Sequence, residues 1–178
     1  MIRTVFVGLF LALFFLFSLP CCAVLFLTRH VFPMQTQHIS QKIVCGALNI
    51  ILMLTGSDIT VLGLENIPTD KPVLFIGNHT GYFDIVSTYP VLPAGVGFVA
   101  KKELDRFALL RWWLRLLHGL TFDRNDPRSG MKMILTAIDE VKNGYSMFIY
   151  PEGTRSKTGE VGEFKAGSFK VATRTNCP

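Results

Sequence analysis

Residues 72–86, PVLFIGNHTGYFDIV, contain the pattern that decides the fold class of this chain. Residues 73–76 form a short apolar run ended by a glycine, which predicts a buried β-strand. A polar loop with His79 follows, and a helix is predicted over residues 82–89 with Asp84 in its first turn. A buried strand that passes through a loop into a helix is the repeating unit of α/β proteins.

The alternation of short apolar runs and helix-length segments continues to the end of the chain. It predicts an α/β fold with a mixed central sheet flanked by helices, preceded by an N-terminal membrane-anchoring helical segment. Besides residues 73–76, the predicted strands are residues 59–62, 96–100, 120–122 and 147–150. Besides residues 82–89, the predicted helices are residues 106–117, 128–142 and 166–173.

Toward the amino terminus, residues 5–27 carry no charge. As a helix rising about 1.5 Å per residue they would reach about 34 Å, which spans a bilayer core of about 30 Å. Apolar residues continue to Leu27, which favours an uncleaved anchor over a cleaved signal peptide, and Pro20 predicts a kink. Residues 43–54 are apolar but shorter than a span, so we expect them to pack at the membrane interface or against the domain.

The composition narrows the class of protein. Apolar residues make up 49% of the chain and charged residues 17%, so an unusual share must lie in a core or in lipid. The net charge of +5 suits nucleic acid, anionic lipid or a phosphorylated substrate. The basic residues stand singly or in pairs rather than in dense runs, so we expect no nucleic-acid partner. The four cysteines show no zinc-binding spacing, and we expect no metal site.

His79 and Asp84 form the first candidate for chemistry. Four residues separate them across the predicted loop-to-helix junction, so the carboxylate reaches one imidazole nitrogen and leaves the other free. An alcohol is a weak nucleophile until a positioned base takes its proton, and histidine, with an unperturbed pKa of about 6.5, is the natural base at neutral pH. No G-x-S-x-G sequence and no nearby cysteine offers a nucleophile, so we infer that a substrate hydroxyl attacks. A helix-capping Asp beside a surface His is the alternative that the spacing leaves open.

Two further polar segments follow predicted strands, where α/β sheets bind ligands. In residues 150–156, YPEGTRS, a turn carries Arg155, whose guanidinium can hold a phosphate in a bidentate fork. In residues 118–126, HGLTFDRND, a short strand delivers Arg124 to the next loop. Lys101 also stands just past a predicted strand. Considered singly, an ordinary polar turn, an ion-paired surface arginine and a solvated lysine remain open alternatives.

Jointly, these segments resemble the glycerolipid acyltransferase family, and within it the lysophosphatidate (1-acyl-sn-glycerol-3-phosphate) acyltransferases. NHTGYFD resembles the N-H-x-x-x-x-D block of the family, GLTFDR its arginine-bearing block and FIYPEGTRS its E-G-T-R block. The flanking ITVLGLENIP, FVAKKEL and EFKAGSF also resemble it, so the likeness covers residues 59–169. It implies an acyltransferase domain over residues 56–178, preceded by the anchor and interfacial helices of residues 1–55.

The resemblance also assigns roles. It implies that His79 is the general base and Asp84 its orienting partner. The residues implied to bind the glycerol-phosphate portion of the acceptor are Arg124, Glu152, Gly153 and Arg155, and the other substrate-binding candidates are Asn78, Lys101, Phe122 and Thr154.

The activity implied is transfer of a fatty acyl group from acyl-CoA or acyl-carrier protein to the sn-2 hydroxyl of lysophosphatidate, giving phosphatidate in phospholipid biosynthesis, with no metal and no bound cofactor. Other acceptors, another lysophospholipid or glycerol 3-phosphate, remain open. So do a membrane-bound thioesterase, in which His79 activates water, and a non-catalytic binder of anionic lipid. We expect an inner-membrane or endoplasmic-reticulum protein whose catalytic domain faces the cytoplasm, because the thioester donor is there.

The carboxyl end differs from the family pattern. The fourth block of the family, a short apolar segment ending in proline on a later strand, would follow the helix predicted over residues 166–173. The chain ends at NCP, residues 176–178. We therefore expect a C-terminally truncated domain whose sheet has an unpaired edge.

Overall fold

The computed structural model describes residues 2–81, 83–156 and 158–178. Within these ranges the α-helices are α1 (Ile2–Phe17), α2 (Leu19–Thr28), α3 (Pro33–Thr55), α4 (Phe83–Thr88), α5 (Ala108–Leu116), α6 (Pro127–Lys142) and α7 (Lys170–Thr175). The strands are β1 (Leu74–Ile76), β2 (Val96–Lys101), β3 (Leu120–Phe122) and β4 (Ser146–Ile149). Short 3-10 helices cover Leu64–Asn66, Tyr89–Val91, Lys102–Arg106 and Ala166–Phe169.

The strands form one sheet in the order β1-β4-β2-β3. All three pairings are parallel, with Phe75 opposite Phe148 and Ala100 opposite Thr121. The α/β class with flanking helices is confirmed, but the expectation of a mixed sheet is wrong for the described strands. Parallel neighbours need a crossover connection, and α4, α5 and α6 each supply one between consecutive strands.

Most predicted elements form with small shifts at their ends. Residues 59–62 are the exception, because they form no strand and Leu62 is 89% exposed. A strand needs a hydrogen-bonded neighbour, and none of the described strands pairs with this segment. The helix predicted over residues 166–173 is divided into a 3-10 turn and α7. The helix predicted from Tyr82 begins at Phe83 in the structure, and Tyr82 itself lies outside the described residues.

The apolar amino-terminal segment is divided where proline predicts it. α1 and α2 meet at an angle of 49°, with the break at Ser18 and Pro20 in the first turn of α2. Proline lacks an N–H and its ring clashes with the carbonyl four residues earlier, so it cannot continue α1. It is tolerated in a first turn, where N–H groups have no helical partner.

Two parts of the amino-terminal region have the length and composition of a membrane span: α3 alone, and the bent pair α1 and α2 taken together. The described surface of α1 is largely apolar, and its exposed large side chains are Ile2, Val5, Phe6, Leu9, Leu13, Leu16 and Phe17. An apolar surface of this extent marks an interaction with lipid or protein. We conclude that the chain associates with a membrane.

α3 also belongs to the core of the domain. Its Gln41 side chain accepts hydrogen bonds from the backbone N–H groups of Gly95 (2.9 Å) and Val96 (3.3 Å) and donates one to Pro93 O (2.7 Å). Val44 of α3 packs against the buried cluster on one face of the sheet. Residues 43–54 therefore lie inside a 23-residue helix that packs against the domain. Packing against the domain was one of the two placements expected from the sequence, the other being the membrane interface.

Each face of the sheet is covered by helices. Phe98 and Phe148 stack at 4.6 Å on the face that α3 covers, and Leu117, the residue after α5, packs with them. Adjacent residues of a strand point to opposite faces of the sheet. Met147, next to Phe148 in β4, therefore points to the other face and packs with Ala137 of α6. This sandwich leaves the carboxyl ends of the strands open to solvent and loops.

β1 forms one edge of the sheet. The backbone N–H of Leu74 donates to the carbonyl oxygen of Pro178 at 3.0 Å. The edge expected to be unpaired therefore has a hydrogen-bond partner at this position, supplied by the last residues of the chain.

Candidate active site

The candidate residues gather at one end of the sheet. Because all four strands run parallel, the loops after them meet at the same edge. His79 lies in the loop after β1, Lys101 at the end of β2, Arg124 just after β3, and Glu152 in the turn after β4. The three blocks that are far apart in sequence are thus brought together.

Asp84 is the centre of a compact set of hydrogen bonds. Its Oδ2 lies 2.8 Å from His79 Nδ1 and accepts hydrogen bonds from the backbone N–H groups of Thr80 (2.7 Å) and Gly81 (2.9 Å). Its Oδ1 accepts from the Thr80 hydroxyl at 3.0 Å. Burial alone would raise the pKa of Asp84, but the hydrogen bonds from Gly81, His79 and Thr80 together lower it. The carboxylate is therefore ionised at neutral pH.

The state of Asp84 fixes the role of His79. An ionised carboxylate only accepts hydrogen bonds, so Nδ1 of His79 carries the proton and donates it. Nε2 then keeps its lone pair and can accept a proton. His79 is 9% exposed, and the ring of Tyr150 stacks on it at 4.3 Å and 17°. Burial, followed by the charge of Asp84, raises the pKa of Tyr150, so this ring stays neutral beside the imidazole.

Glu152 joins the first and third blocks. Its Oε1 accepts from the backbone N–H of His79 and its Oε2 from that of Gly162, both at 2.9 Å. The backbone N–H of Ser156 also donates to His79 O at 2.7 Å. The loop that carries His79 is therefore fixed from the turn after β4 by two hydrogen bonds.

Arg124 is half-buried, and its Nε has no hydrogen-bond partner among the described residues. Burial lowers the pKa of Arg124. The negative charge of Glu103 raises this pKa, and the positive charge of Arg155 lowers it further. The two arginines are thus close enough to repel one another, which an anion between them would relieve. Lys101 is exposed, and its Nζ lies 2.6 Å from Oε1 of Glu103. This is the solvated lysine that the sequence analysis left open as an alternative.

The remaining candidates lie in less defined positions. Asn78 and Thr154 are exposed on the loops after β1 and β4. Phe122 is the last residue of β3 and lines the same cavity as Gly153. Among the described residues no group of three or more His, Cys, Asp and Glu side chains has the arrangement of a metal site.

A cavity of about 430 Å³ opens beside Arg124. It contains two cations that the sequence analysis did not single out, Lys165 and Lys170, next to the apolar side chains of Met131 and Ile134. The backbone N–H of Lys165 donates to Pro151 O at 3.0 Å. Its segment, EFKAGSF, belongs to the family resemblance, but no property of that segment indicated which side chain faces the site.

A second cavity, of about 240 Å³, is almost wholly apolar. It lies between the anchor helices and the sheet, and its walls include Phe14, Leu48, Ile85, Phe98 and Trp113. Ile85 follows Asp84 in α4, so the helix that carries Asp84 also supplies one wall of this cavity.

The fold and the site define an α/β protein with a histidine–aspartate pair and a cavity lined by Arg124, Lys165 and Lys170 together with Asp123 and Asp126. Residues 58–178 match the family model described as Acyltransferase, and the chain belongs to that family. It is 36% identical over 121 residues to the 1-acyl-sn-glycerol-3-phosphate acyltransferase BAT2, chloroplastic, of Brassica napus, a match covering 66% of this chain and 34% of that protein. It is 32% identical over 138 residues to the 1-acyl-sn-glycerol-3-phosphate acyltransferase of Bacillus subtilis, covering 77% and 67%.

A solved structure shows the same fold. The crystal structure of the 1-acyl-sn-glycerophosphate (LPA) acyltransferase PlsC from Thermotoga maritima aligns with a TM-score of 0.67 and 29% identity, over 99% of this chain and 73% of that one. The chain spans about a third of the length of the chloroplast relatives of Brassica napus and Arabidopsis thaliana, 34% and 33%.

Proposed function

We propose that this chain transfers a fatty acyl group from a thioester, acyl-CoA or acyl-carrier protein, to the sn-2 hydroxyl of lysophosphatidate, giving phosphatidate. The observation that carries the proposal is the 2.8 Å contact between His79 Nδ1 and an ionised Asp84, which leaves Nε2 as a base. The names of the relatives support the choice of acceptor.

The reaction is a single displacement. Nε2 of His79 takes the proton from the acceptor hydroxyl as its oxygen attacks the thioester carbonyl. A carbon–oxygen bond forms, the carbon–sulfur bond breaks, and the imidazolium returns the proton to the departing thiolate. Asp84 stabilises the imidazolium in between. General-base help of this kind contributes about 10²- to 10⁴-fold in rate.

The cations near the pair hold the acceptor phosphate. Arg124 and Arg155 repel each other, so a phosphate between them is favoured. We assign Glu152 a positioning role, because both of its carboxylate oxygens accept from backbone amides. Its negative charge also makes direct contact with a phosphate unfavourable.

The acyl chain of the donor fits the apolar cavity of about 240 Å³ between the anchor helices and the sheet. Its polar lining is minimal, so hydrocarbon replaces water there favourably. The step requires no metal and no bound cofactor, because the thioester already carries an activated acyl group. The catalytic face turns toward lipid headgroups on the cytoplasmic side, where the donor is made.

Acyl transfer from labelled donor to lysophosphatidate in detergent or vesicles tests the proposal. Phosphatidate should form with the native chain, and His79→Ala should lower the rate by about 10² or more. His38→Ala, a half-buried histidine of α3 outside the site, is the matched control and should keep the rate. Formation of free fatty acid without an acceptor would instead establish a thioesterase. Absence of turnover with both donors and with glycerol 3-phosphate or other lysophospholipids as acceptors would refute the acyltransferase proposal.

A further inference from the structure

A second group of basic side chains lies at the opposite end of the sheet from the candidate active site. It lines a cavity of about 420 Å³ beside the α2–α3 turn, where Arg29, His30, Arg115 and His118 meet. His118 precedes β3, whereas Arg124 follows it. This cavity is therefore at the amino end of the parallel sheet, and we call it the headgroup cavity.

The headgroup cavity has an excess of positive charge. Glu140 is the single acidic residue among the described residues that line it. Its Oε2 lies 2.7 Å from His118 Nδ1, so its charge is already engaged. The first acidic residue of the whole chain is Asp58, so the α2–α3 turn brings no carboxylate of its own. Arg29 and Arg115 thus have no acidic partner there.

The two arginines also keep unused hydrogen-bond donors. Arg115 is exposed, and its side chain makes no hydrogen bond or ion pair with any residue that the structure describes. Arg29 donates from Nε to His30 Nε2 at 3.2 Å, and its guanidinium lies 3.7 Å above the ring of Phe26. Stacking on an aromatic ring leaves the terminal nitrogens of a guanidinium facing outward. Each guanidinium has five N–H donors. Both arginines can therefore still donate two parallel hydrogen bonds to one acceptor group such as a phosphate.

Exposed apolar side chains lie close to Arg29 in the chain. Leu27 is 78% exposed, Val31 70% and Phe32 54%, and all three are within a few residues of Arg29. A turn with this combination lies at the boundary of headgroups and acyl chains, where basic side chains extend to the phosphate level. A lipid suits this turn better than a soluble anion, because its acyl chains cover these exposed apolar side chains.

We propose that the headgroup cavity binds the phosphate of an anionic phospholipid, with Arg29 and Arg115 as its donors. Guanidinium meets phosphate oxygens in a bidentate fork, which gives charge-assisted hydrogen bonds. The bound lipid holds the α2–α3 turn at the membrane surface. The proposal is independent of acyl transfer, since none of these residues belongs to the candidate active site.

Thermal unfolding of the full chain in neutral detergent micelles tests the proposal, with phosphatidylglycerol or phosphatidylcholine titrated in. A ligand of the folded state raises the unfolding midpoint. We expect a saturable rise with phosphatidylglycerol, and in Arg115→Gln or Arg29→Gln a titration displaced to about tenfold higher lipid, as loss of a charge-assisted hydrogen bond predicts. Arg115→Lys, which keeps the charge but not the fork, should lie between and replaces Arg115→Gln if that variant does not fold.

Two controls separate this cavity from other charges. Lys42→Gln removes a positive charge from exposed α3 surface outside the cavity, and Arg124→Gln removes one from the candidate active site. Both should titrate like the native chain. The proposal is overturned if both cavity variants titrate like the native chain or if Lys42→Gln loses as much as they do. It is also overturned if glycerol 3-phosphate raises the midpoint of Arg124→Gln as effectively as the lipid does.

Discussion

The ammonium nitrogen of Lys165 lies 2.9 Å from the point where a β-carbon on Gly153 would stand. Gly153 belongs to the turn after β4, has a φ of +70°, and lines the cavity that contains Arg124. The absence of a side chain at this position therefore allows Lys165 to lie over the turn and add its charge to the phosphate-binding region. This contact joins two segments that the sequence separates by eleven residues.

Gly153→Ala should raise the KM for lysophosphatidate more than it lowers kcat. The added methyl group displaces the Lys165 ammonium and strains a left-handed backbone position, which itself costs about 1 kcal/mol. Gly159→Ala is the matched control, because Gly159 also has a positive φ (+81°) but its β-carbon would meet nothing within 4 Å. Steady-state kinetics on both variants check this, and equal KM values for the two would show that displacement of Lys165 has no effect.

Glu152→Gln should lower kcat and the unfolding midpoint together. A glutamine has one carbonyl oxygen, so it cannot accept from the amides of both His79 and Gly162, and a buried amide left without an acceptor costs about 1–3 kcal/mol. The loop that carries the base then loses a fixed position. Glu160→Gln, a nearby exposed carboxylate, should change neither quantity. A Glu152→Gln enzyme with native kcat would remove the positioning role.

The stabilising effect of Asp84 should depend on pH in one direction. Its pKa is lowered in the folded protein, so its contribution is fully present above the unfolded-state pKa of about 3.9 and is lost as pH falls through the lower folded value. In a His79→Ala background, which removes the imidazole and keeps the hydrogen bonds from Gly81 and Thr80, the effect of Asp84→Asn on the unfolding free energy should be constant between about pH 5 and 7 and shrink in more acidic buffer. Denaturant unfolding across this range measures it. A difference that grows on acidification would contradict the assignment.

Gln41→Leu should destabilise the protein by about 1–3 kcal/mol, because the buried N–H groups of Gly95 and Val96 lose their acceptor. Gln35→Leu places the same substitution on exposed α3 surface and should have little effect. Denaturant titration in detergent compares the two. Equal stability in both variants would mean that this contact does not hold α3 to the sheet.

The local parts of the site were predictable from sequence, because short spacing constrains geometry. His79 and Asp84 lie across one loop-to-helix junction, and their contact forms as the spacing indicates. The kink at Pro20 follows from the chemistry of a single residue in the same way. Whether the implied substrate-binding residues contact substrate stays a prediction.

The long-range parts were not predictable from pattern alone. The link between Glu152 and the His79 amide joins residues 73 positions apart, and no periodicity encodes it. Residues 59–62 have strand-like composition, but pairing decides whether a strand forms. The parallel direction of the strands likewise depends on how the crossover connections run, and amino-acid composition does not determine that. α3 extends beyond its apolar stretch because Gln37 and Gln41 are buried polar residues with partners in the domain.

The hydrogen bonds from Gln41 to the start of β2 have a consequence for biogenesis. Synthesis proceeds from the amino terminus, so the three anchor helices leave the ribosome before any strand of the sheet exists. The glutamine that accepts from the amides of Gly95 and Val96 is therefore synthesised before that strand. The sheet thus forms after the helix that it packs against has been made.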